Sequence, residues 1–128
     1  KAVQIGCSAW TAEALKLTMP ASVFSRSTEC HNQDKVSMGT IASRECLRVL
    51  QLTEQVVAAS LLGVQQAVQL RIAQGELSHA SLSAELQQML DSLQQQYPLV
   101  TEDRPLEHSL RRLVSQVQQQ HWLLYQEA

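Results

Sequence analysis

The sequence predicts an all-α fold, a bundle organised around one long helix. The 128-residue chain has only four glycines and three prolines, so residues that interrupt regular structure are scarce. Glutamine and leucine recur throughout, and both are good helix formers. Hydrophobic residues make up 45% of the chain and charged residues 17%, a composition that can bury a core. We therefore predict helices over about residues 2–17, 36–73, 81–97 and 105–125.

The first predicted helix, 2–17, ends before Pro20, because the residue that precedes a proline is disfavoured in the α conformation. The stretch that follows, 21–35, is polar and has no sustained period, so we predict a loop there. This loop contains the densest cluster of functional side chains in the chain, the run E-C-H-N-Q-D at 29–34.

The second predicted helix, 36–73, is unusually long and is expected to end with Gly75 as the residue that reverses its backbone. It carries apolar residues on more than one face and a line of small residues at Ala59, Gly63 and Ala67. Such a helix is about 57 Å long, whereas a compact domain of this size is only about 36 Å across. We therefore expect other chains, or the rest of a longer chain, to cover it.

The third predicted helix, 81–97, stops at Pro98, and the fourth, 105–125, places Pro105 in its first turn. The glutamine-rich runs of both helices are interpreted as solvated faces of amphipathic helices. The inner face of the fourth helix is predicted to consist of five aliphatic residues at helical spacing: Leu106, Leu110, Leu113, Val117 and Leu124.

Charge and composition exclude several classes of partner. Ten basic against twelve acidic residues give a net charge of −2, without the basic footprint of a nucleic-acid binder. No unbroken apolar run approaches the roughly 18 residues of a membrane span. Cys7, Cys30 and Cys46 are odd in number and lack metal-type spacing, so we expect reduced thiols and a cytoplasmic protein. Because the chain begins at Lys1 without a methionine, we also expect it to be part of a longer product.

The cluster at 29–34 allows several interpretations from its residues alone. Its acidic, thiol and imidazole groups match no usual metal-ligand spacing, so no metal site is predicted. Cys30 and His31 are adjacent, which rarely places a nucleophile within reach of its base. Asp34 suits an N-cap of the long helix. A polar capping loop therefore remains one hypothesis, and recognition of an amino acid or carboxylate by amide and acid groups at a helix N-terminus is the other.

The same cluster carries a family resemblance. The runs E-C-H-N-Q-D at 29–34, V-S-M-G at 36–39 and A-S-R at 42–44 resemble the E-x-H-N-Q-D…S-M/L-G…A/S-A/S-R signature of the aromatic amino acid ammonia-lyases. P-A-S-V at 20–23 is similar to a loop of the same family. The resemblance implies that the chain is the C-terminal helical segment of a larger, mainly helical lyase.

The resemblance further implies elimination of ammonia from an aromatic L-amino acid to give an aryl acrylate. Bacterial histidine lyases more often carry Q-E-D at 32–34, so phenylalanine or tyrosine is the favoured substrate and histidine the alternative. An aromatic amino acid 2,3-aminomutase or a non-catalytic helical oligomerisation module are the competing functions. The family's enzymes are homotetramers, so a homo-oligomer, with tetramer as the expected state, is implied as well.

The family's electrophile, a methylideneimidazolone, forms from an Ala-Ser-Gly tripeptide, and its catalytic tyrosine lies in the N-terminal part of those enzymes. The four Ala-Ser pairs of this chain are all followed by a residue other than glycine; they lie at 21–22, 42–43, 59–60 and 80–81. The electrophile is thus expected outside this chain, and the chain alone is expected to be inactive.

Site roles follow from the resemblance residue by residue. Glu29 and Gln33 match the catalytic positions, with the carboxylate near the substrate amino group and the amide near the prosthetic group and substrate. Asn32 and Lys1 match substrate-binding positions. The motif residues His31 and Asp34 are given structural roles.

Overall fold

The computed structural model describes residues 1–122. In this part of the chain there are four α-helices and no strand, so the all-α prediction is confirmed. Two short 3₁₀ turns, Ala21–Phe24 and His79–Ser81, lie between the helices. The helices are α1, Ala2–Lys16; α2, Gly39–Ala73; α3, Ala84–Gln96; and α4, Glu107–Gln118.

The predicted boundaries of three helices are corrected. Helix α2 begins three residues later than the predicted 36, at Gly39. Helix α3 begins at Ala84 because Ser83 is its N-cap and accepts a hydrogen bond from the Leu86 N–H at 3.4 Å. Helix α4 spans Glu107–Gln118 instead of the predicted 105–125, so Pro105 precedes its N-cap, Leu106, and does not lie in its first turn. Leu124, predicted for the inner face, lies outside the described residues.

Gly75 ends α2 as predicted, in the left-handed conformation with φ of 74°. Its N–H donates to the Ile72 carbonyl at 3.0 Å, and the Glu76 N–H donates to the Arg71 carbonyl at 2.9 Å. This pair of bonds is a Schellman motif, which satisfies carbonyls at the end of the helix that would otherwise lack partners.

The chain divides into two compact units between Val56 and Val57, inside α2. In the first unit, α1 lies along the N-terminal half of α2, and Leu52 is fully buried there. The guanidinium of Arg48 pairs with the Glu13 carboxylate at 2.8 Å across these two helices. Both side chains are nearly half exposed, so this ion pair contributes only a little stability.

The second unit has its own core, formed where α3 and α4 pack against the C-terminal half of α2. Leu110 and Val117 pack against this core, as predicted for the inner face of α4. Its buried members are aromatic and aliphatic side chains, each at most 5% exposed: Ala58, Leu93, Tyr97, Leu113 and Trp122.

Glutamines of α2 bind the segment after α3. The Gln65 amide is buried and donates to the Tyr97 carbonyl at 2.9 Å. The Gln66 amide binds both backbone groups of Val100, donating to its carbonyl at 2.9 Å and accepting from its N–H at 3.0 Å. These amides satisfy backbone groups that secondary structure leaves unpaired.

Much of α2 is not covered by this chain. Leu47, Leu50 and Val64 are 61%, 54% and 60% exposed. An 18-residue window of α2 has a mean hydropathy of 1.3, so by length and composition this helix could cross a membrane, although packed core helices meet the same criterion. The glutamines that interrupt the window explain why no unbroken apolar run was found in the sequence.

Candidate functional site

The motif lies in a closed loop that leads into α2. The hydroxyl of Ser25, which is 5% exposed, donates to the Val36 carbonyl at 2.8 Å and accepts from the Val36 N–H at 2.9 Å. One side chain thus binds both backbone groups of a residue eleven positions away. These two hydrogen bonds hold the two ends of the loop next to each other.

Inside this loop, Thr28 and Gln33 form an isolated antiparallel bridge. The Thr28 N–H donates to the Gln33 carbonyl at 2.9 Å, and the Gln33 N–H donates to the Thr28 carbonyl at 3.2 Å. Residues 29–32 form the turn between them, with the Asn32 N–H donating to the Glu29 carbonyl at 3.0 Å. The motif is therefore a tight hairpin-like turn.

Three successive residues of this turn have left-handed backbone conformations. The φ angles are 53° at Glu29, 53° at Cys30 and 68° at His31. A side chain with a Cβ adopts this region only at a cost in energy, so the rest of the loop must hold the turn in place. Such backbone outliers are concentrated at functional sites.

Two side-chain hydrogen bonds support the turn. The Ser27 hydroxyl and His31 Nδ1 lie 2.6 Å apart, and the Thr28 hydroxyl donates to Gln33 Oε1 at 3.1 Å. Both bonds join a hydroxyl residue just before the motif to a side chain within it. They orient the imidazole and the carboxamide on a short, strained segment.

The turn brings together four of the six predicted site residues: Glu29, His31, Asn32 and Gln33. All four side chains are exposed, and so is that of Asp34. Lys1 is not joined to them: among the described residues, no hydrogen bond or ion pair links it to the motif. Its carbonyl accepts the first bond of α1 instead, from the Ile5 N–H.

The interpretation of Asp34 as the N-cap of α2 is wrong. The helix begins at Gly39, five residues after Asp34. Its first bond runs from the Ala42 N–H to the Met38 carbonyl at 3.0 Å, and the Ser37 hydroxyl accepts the Gly39 N–H at 3.2 Å. The Ser37 hydroxyl therefore takes the place predicted for the Asp34 carboxylate, because residues 35–38 precede the helix without regular structure.

Three hydroxyl residues of the loop were not predicted as part of the site: Ser25, Ser27 and Thr28. The signal was present in the hydroxyl-rich run S-R-S-T at 25–28, directly before the motif. Serine and threonine hydroxyls bind nearby backbone and polar groups in turns, which is what these three do here.

The turn carries one carboxylate, one imidazole and two carboxamides, and all four side chains are exposed. Within residues 1–122, no group of three or more His, Cys, Asp or Glu side chains could hold a metal ion. The available chemistry is that of a carboxylate that binds or deprotonates an ammonium group and of amides that bind carbonyl or carboxylate oxygens.

Comparison with known proteins assigns the chain to a family. The family model for the aromatic amino acid lyases matches residues 1–95, which include α1, the motif turn, all of α2 and most of α3. The chain belongs to the aromatic amino acid lyase family.

Individual lyases agree with this assignment. The chain is 35% identical to the tyrosine ammonia-lyase of Cereibacter sphaeroides over 117 residues, which are 91% of this chain and 22% of that enzyme. It is 35% identical to the histidine ammonia-lyase of Natranaerobius thermophilus, over 80% of this chain and 19% of that enzyme. It is also 30% identical to the histidine ammonia-lyase of Bacillus subtilis, over 87% of this chain and 21% of that enzyme. The chain thus spans about a fifth of the length of these lyases.

Proposed function

We propose that this chain is the C-terminal part of an ammonia-lyase that eliminates ammonia from an aromatic L-amino acid, of the phenylalanine or tyrosine type, to give an aryl acrylate. The observation that carries the proposal is the turn at 28–33 of a lyase-family chain, which holds Glu29, Asn32 and Gln33 close together in the chain with all three side chains exposed. The side chains there are open, as expected of a site whose other walls come from elsewhere.

In the proposed mechanism, the Glu29 carboxylate lies near the substrate ammonium group, where it holds the positive charge or takes its proton. The Gln33 amide donates to oxygen atoms of the substrate and of the prosthetic group, and Asn32 and Lys1 line the substrate pocket. His31 and Asp34 act structurally, and the Ser27–His31 contact of 2.6 Å supports that role for His31.

The methylideneimidazolone would supply the electrophile that activates the substrate for loss of ammonia. Its precursor Ala-Ser-Gly does not occur in this chain, because each Ala-Ser pair continues with another residue. The amide donors of the motif suit the carbonyl oxygen of such a group. This chain would therefore contribute binding and proton-handling groups to an electrophile formed elsewhere in the protein.

We also propose a cytoplasmic homo-oligomer, with tetramer as the expected state. The support is the exposed apolar surface of α2, which includes Leu47, Leu50 and Val64. Several exposed aliphatic side chains on one helix indicate an interface more than single scattered ones do. The polar turn and the uncovered helix fit a site that is completed by other parts of the protein.

The full-length protein tests the activity. It should be incubated with L-phenylalanine, L-tyrosine and L-histidine, and the formation of cinnamate, coumarate or urocanate followed by ultraviolet absorbance. Release of an aryl acrylate and ammonia in equal amounts is the expected result. The 128-residue chain alone should give none, and turnover by it would overturn the proposal that its site is incomplete.

The same incubation separates the competing functions. A β-amino acid product, resolved by chromatography, would indicate an aminomutase. A full-length sequence without an Ala-Ser-Gly tripeptide, together with no turnover of any of the three substrates, would indicate a non-catalytic helical oligomerisation module.

A further inference from the structure

The Gln33 carboxamide is held by one side chain, Thr28. These two residues exchange both backbone hydrogen bonds of their bridge, so their side chains project from the same side of the turn. There the Thr28 hydroxyl donates to Gln33 Oε1 at 3.1 Å. The carbonyl end of the amide therefore points at Thr28, and its Nε2 end points elsewhere.

A glutamine side chain has three rotatable bonds, so fixing it in one orientation costs conformational entropy. Gln33 is exposed, so packing contributes little to fixing it. The Thr28 hydroxyl, on the opposite side of the bridge, holds the Gln33 side chain instead. Because the backbone bridge places Thr28 directly opposite, the hydroxyl meets the amide without any rearrangement of the turn.

We propose that Thr28 is a positioning residue, which orients the Gln33 carboxamide so that its Nε2 donates to an acceptor oxygen of the substrate or prosthetic group. This inference rests on the proposed function of Gln33. Thr28 itself touches neither group in this scheme; it acts through the amide. Removing its hydroxyl should therefore slow the chemical step while leaving the fold of the turn in place.

The test is steady-state kinetics of the full-length protein with Thr28→Val and Thr28→Ser, using L-phenylalanine, L-tyrosine and L-histidine as substrates. Valine keeps the β-branched shape that suits the bridge but lacks the hydroxyl. We expect Thr28→Val to lower kcat about tenfold, with a smaller change in KM, because the loss falls on an interaction made in the transition state. Thr28→Ser restores the hydroxyl and should restore most of kcat.

The matched control is Thr18→Val. The Thr18 hydroxyl also makes one exposed hydrogen bond, to the Leu15 carbonyl at 2.7 Å, at the end of α1 and outside the motif. Its loss should leave kcat unchanged. A similar loss of kcat in Thr18→Val and Thr28→Val would show a general effect of removing a threonine hydroxyl, and would overturn the proposal.

A double-mutant cycle with Gln33→Ala separates positioning from a merely structural role. If Thr28 acts through the Gln33 amide, Thr28→Val should hardly lower kcat any further in the Gln33→Ala background. If the two substitutions lower kcat independently, their effects multiply and Thr28 is not a positioning residue. Thermal unfolding of each variant, expected to change little, guards against a misfolded loop.

The cycle also distinguishes the two proposals from each other. If Gln33→Ala retains wild-type kinetics, or no substrate is turned over at all, the proposed function of this site fails and the role of Thr28 fails with it. If Gln33→Ala is impaired but Thr28→Val is not, the site stands and only the positioning role is overturned.

Discussion

The two units of the chain differ in content: the first holds the candidate site residues, and the second holds a buried apolar core. The first unit, 1–56, carries the motif turn but buries only Ala21, Ser25 and Leu52 among its residues. The second unit carries none of the predicted site residues, yet it has an apolar core and a set of glutamine hydrogen bonds around it.

This difference has a physical reason. A strained turn with open polar side chains can exist only if surrounding structure holds it, and this chain supplies that structure sparingly, through the Ser25 bonds to Val36 and the backbone bridge between Thr28 and Gln33. The second unit needs no such help, because α3 and α4 bury its aliphatic and aromatic side chains locally. Stability and activity should therefore respond to substitutions in different units.

The largest effect expected is that of Leu113→Ala in the second unit. Leu113 is fully buried in the core, so truncation removes apolar contacts and leaves a cavity, at a cost of about 2–5 kcal/mol in the free energy of unfolding. The matched control is Leu15→Ala on α1 of the first unit, where the side chain is 66% exposed and the cost should be below about 0.5 kcal/mol. Urea unfolding of the chain measures both, and equal losses would remove the contrast between the units.

The next effect concerns activity. In the full-length protein, Gln33→Ala and Glu29→Ala should each lower kcat roughly 100-fold or more, because each removes a group proposed to act in the transition state. Since both side chains are exposed, thermal stability should hardly change.

Controls for this pair are Gln74→Ala and Glu102→Ala, exposed residues of the same types in the second unit. They should retain wild-type kcat. Wild-type kinetics in the two motif variants would contradict the match between this turn and the lyase signature.

The sequence predicted the helices well where a local signal ends them. Gly75 and Pro98 stop α2 and α3 close to the expected positions, because a left-handed glycine and a missing N–H act locally. The start of α2 was predicted three residues too early. Asp34 looked like a cap in the sequence, but the Ser25 hydroxyl binds both backbone groups of Val36, whose carbonyl an earlier helix would need for its own hydrogen bonds.

The geometry of the candidate site could not be predicted from the sequence. The motif letters made Glu29 and Gln33 candidate site residues, and their roles stay predictions, but nothing in spacing alone indicates three successive left-handed residues or a bridge from Thr28. The buried role of Gln65 was missed for a related reason. A neutral amide looks like a solvated surface residue in sequence, and only the tertiary fold places the Tyr97 carbonyl opposite it.

A smaller effect is expected on assembly. An added Cβ at Gly63 meets no atom of this chain within 4 Å, so Gly63→Leu should be tolerated by the chain itself and should even favour the helix by about 0.5–1 kcal/mol. Of the line of small residues, Gly63 and Ala67 are exposed, whereas Ala59 is 2% exposed and is covered by this chain, so Ala59 cannot face another copy. If Gly63 and Ala67 lie at a close crossing between copies, the added side chain should weaken association by about 1–3 kcal/mol.

Sedimentation equilibrium measures the association of the wild-type chain and of Gly63→Leu, and urea unfolding measures the stability of each. The substitution should weaken the first and slightly raise the second. Gly63→Ala is the graded control and should weaken association less. A wild-type chain that stays folded and monomeric at high concentration would contradict the role of α2 in assembly.

The smallest effect expected lies in the core of the second unit, at Tyr97. Its hydroxyl donates to Gln116 Oε1 at 2.7 Å, so Tyr97→Phe should cost about 0.5–1.5 kcal/mol at neutral pH. Burial raises the pKa of the Tyr97 phenol, and nearby Arg112 opposes this shift only in part.

The raised pKa gives this prediction a pH dependence with a definite sign. Above pH about 10 the phenol of the unfolded chain ionises, whereas the folded chain keeps its proton. The unfolded state then binds fewer protons, so stability is complete below that pH and falls as pH rises towards the folded pKa. Tyr97→Phe removes this dependence of the free energy of unfolding on pH. The three lysines titrate in both proteins, so their contributions cancel when the two are compared. Urea unfolding at neutral and at alkaline pH should therefore show that the difference in the free energy of unfolding between wild type and variant becomes smaller at alkaline pH. A gap that stays constant would mean that the phenol is not held neutral by its burial in this core.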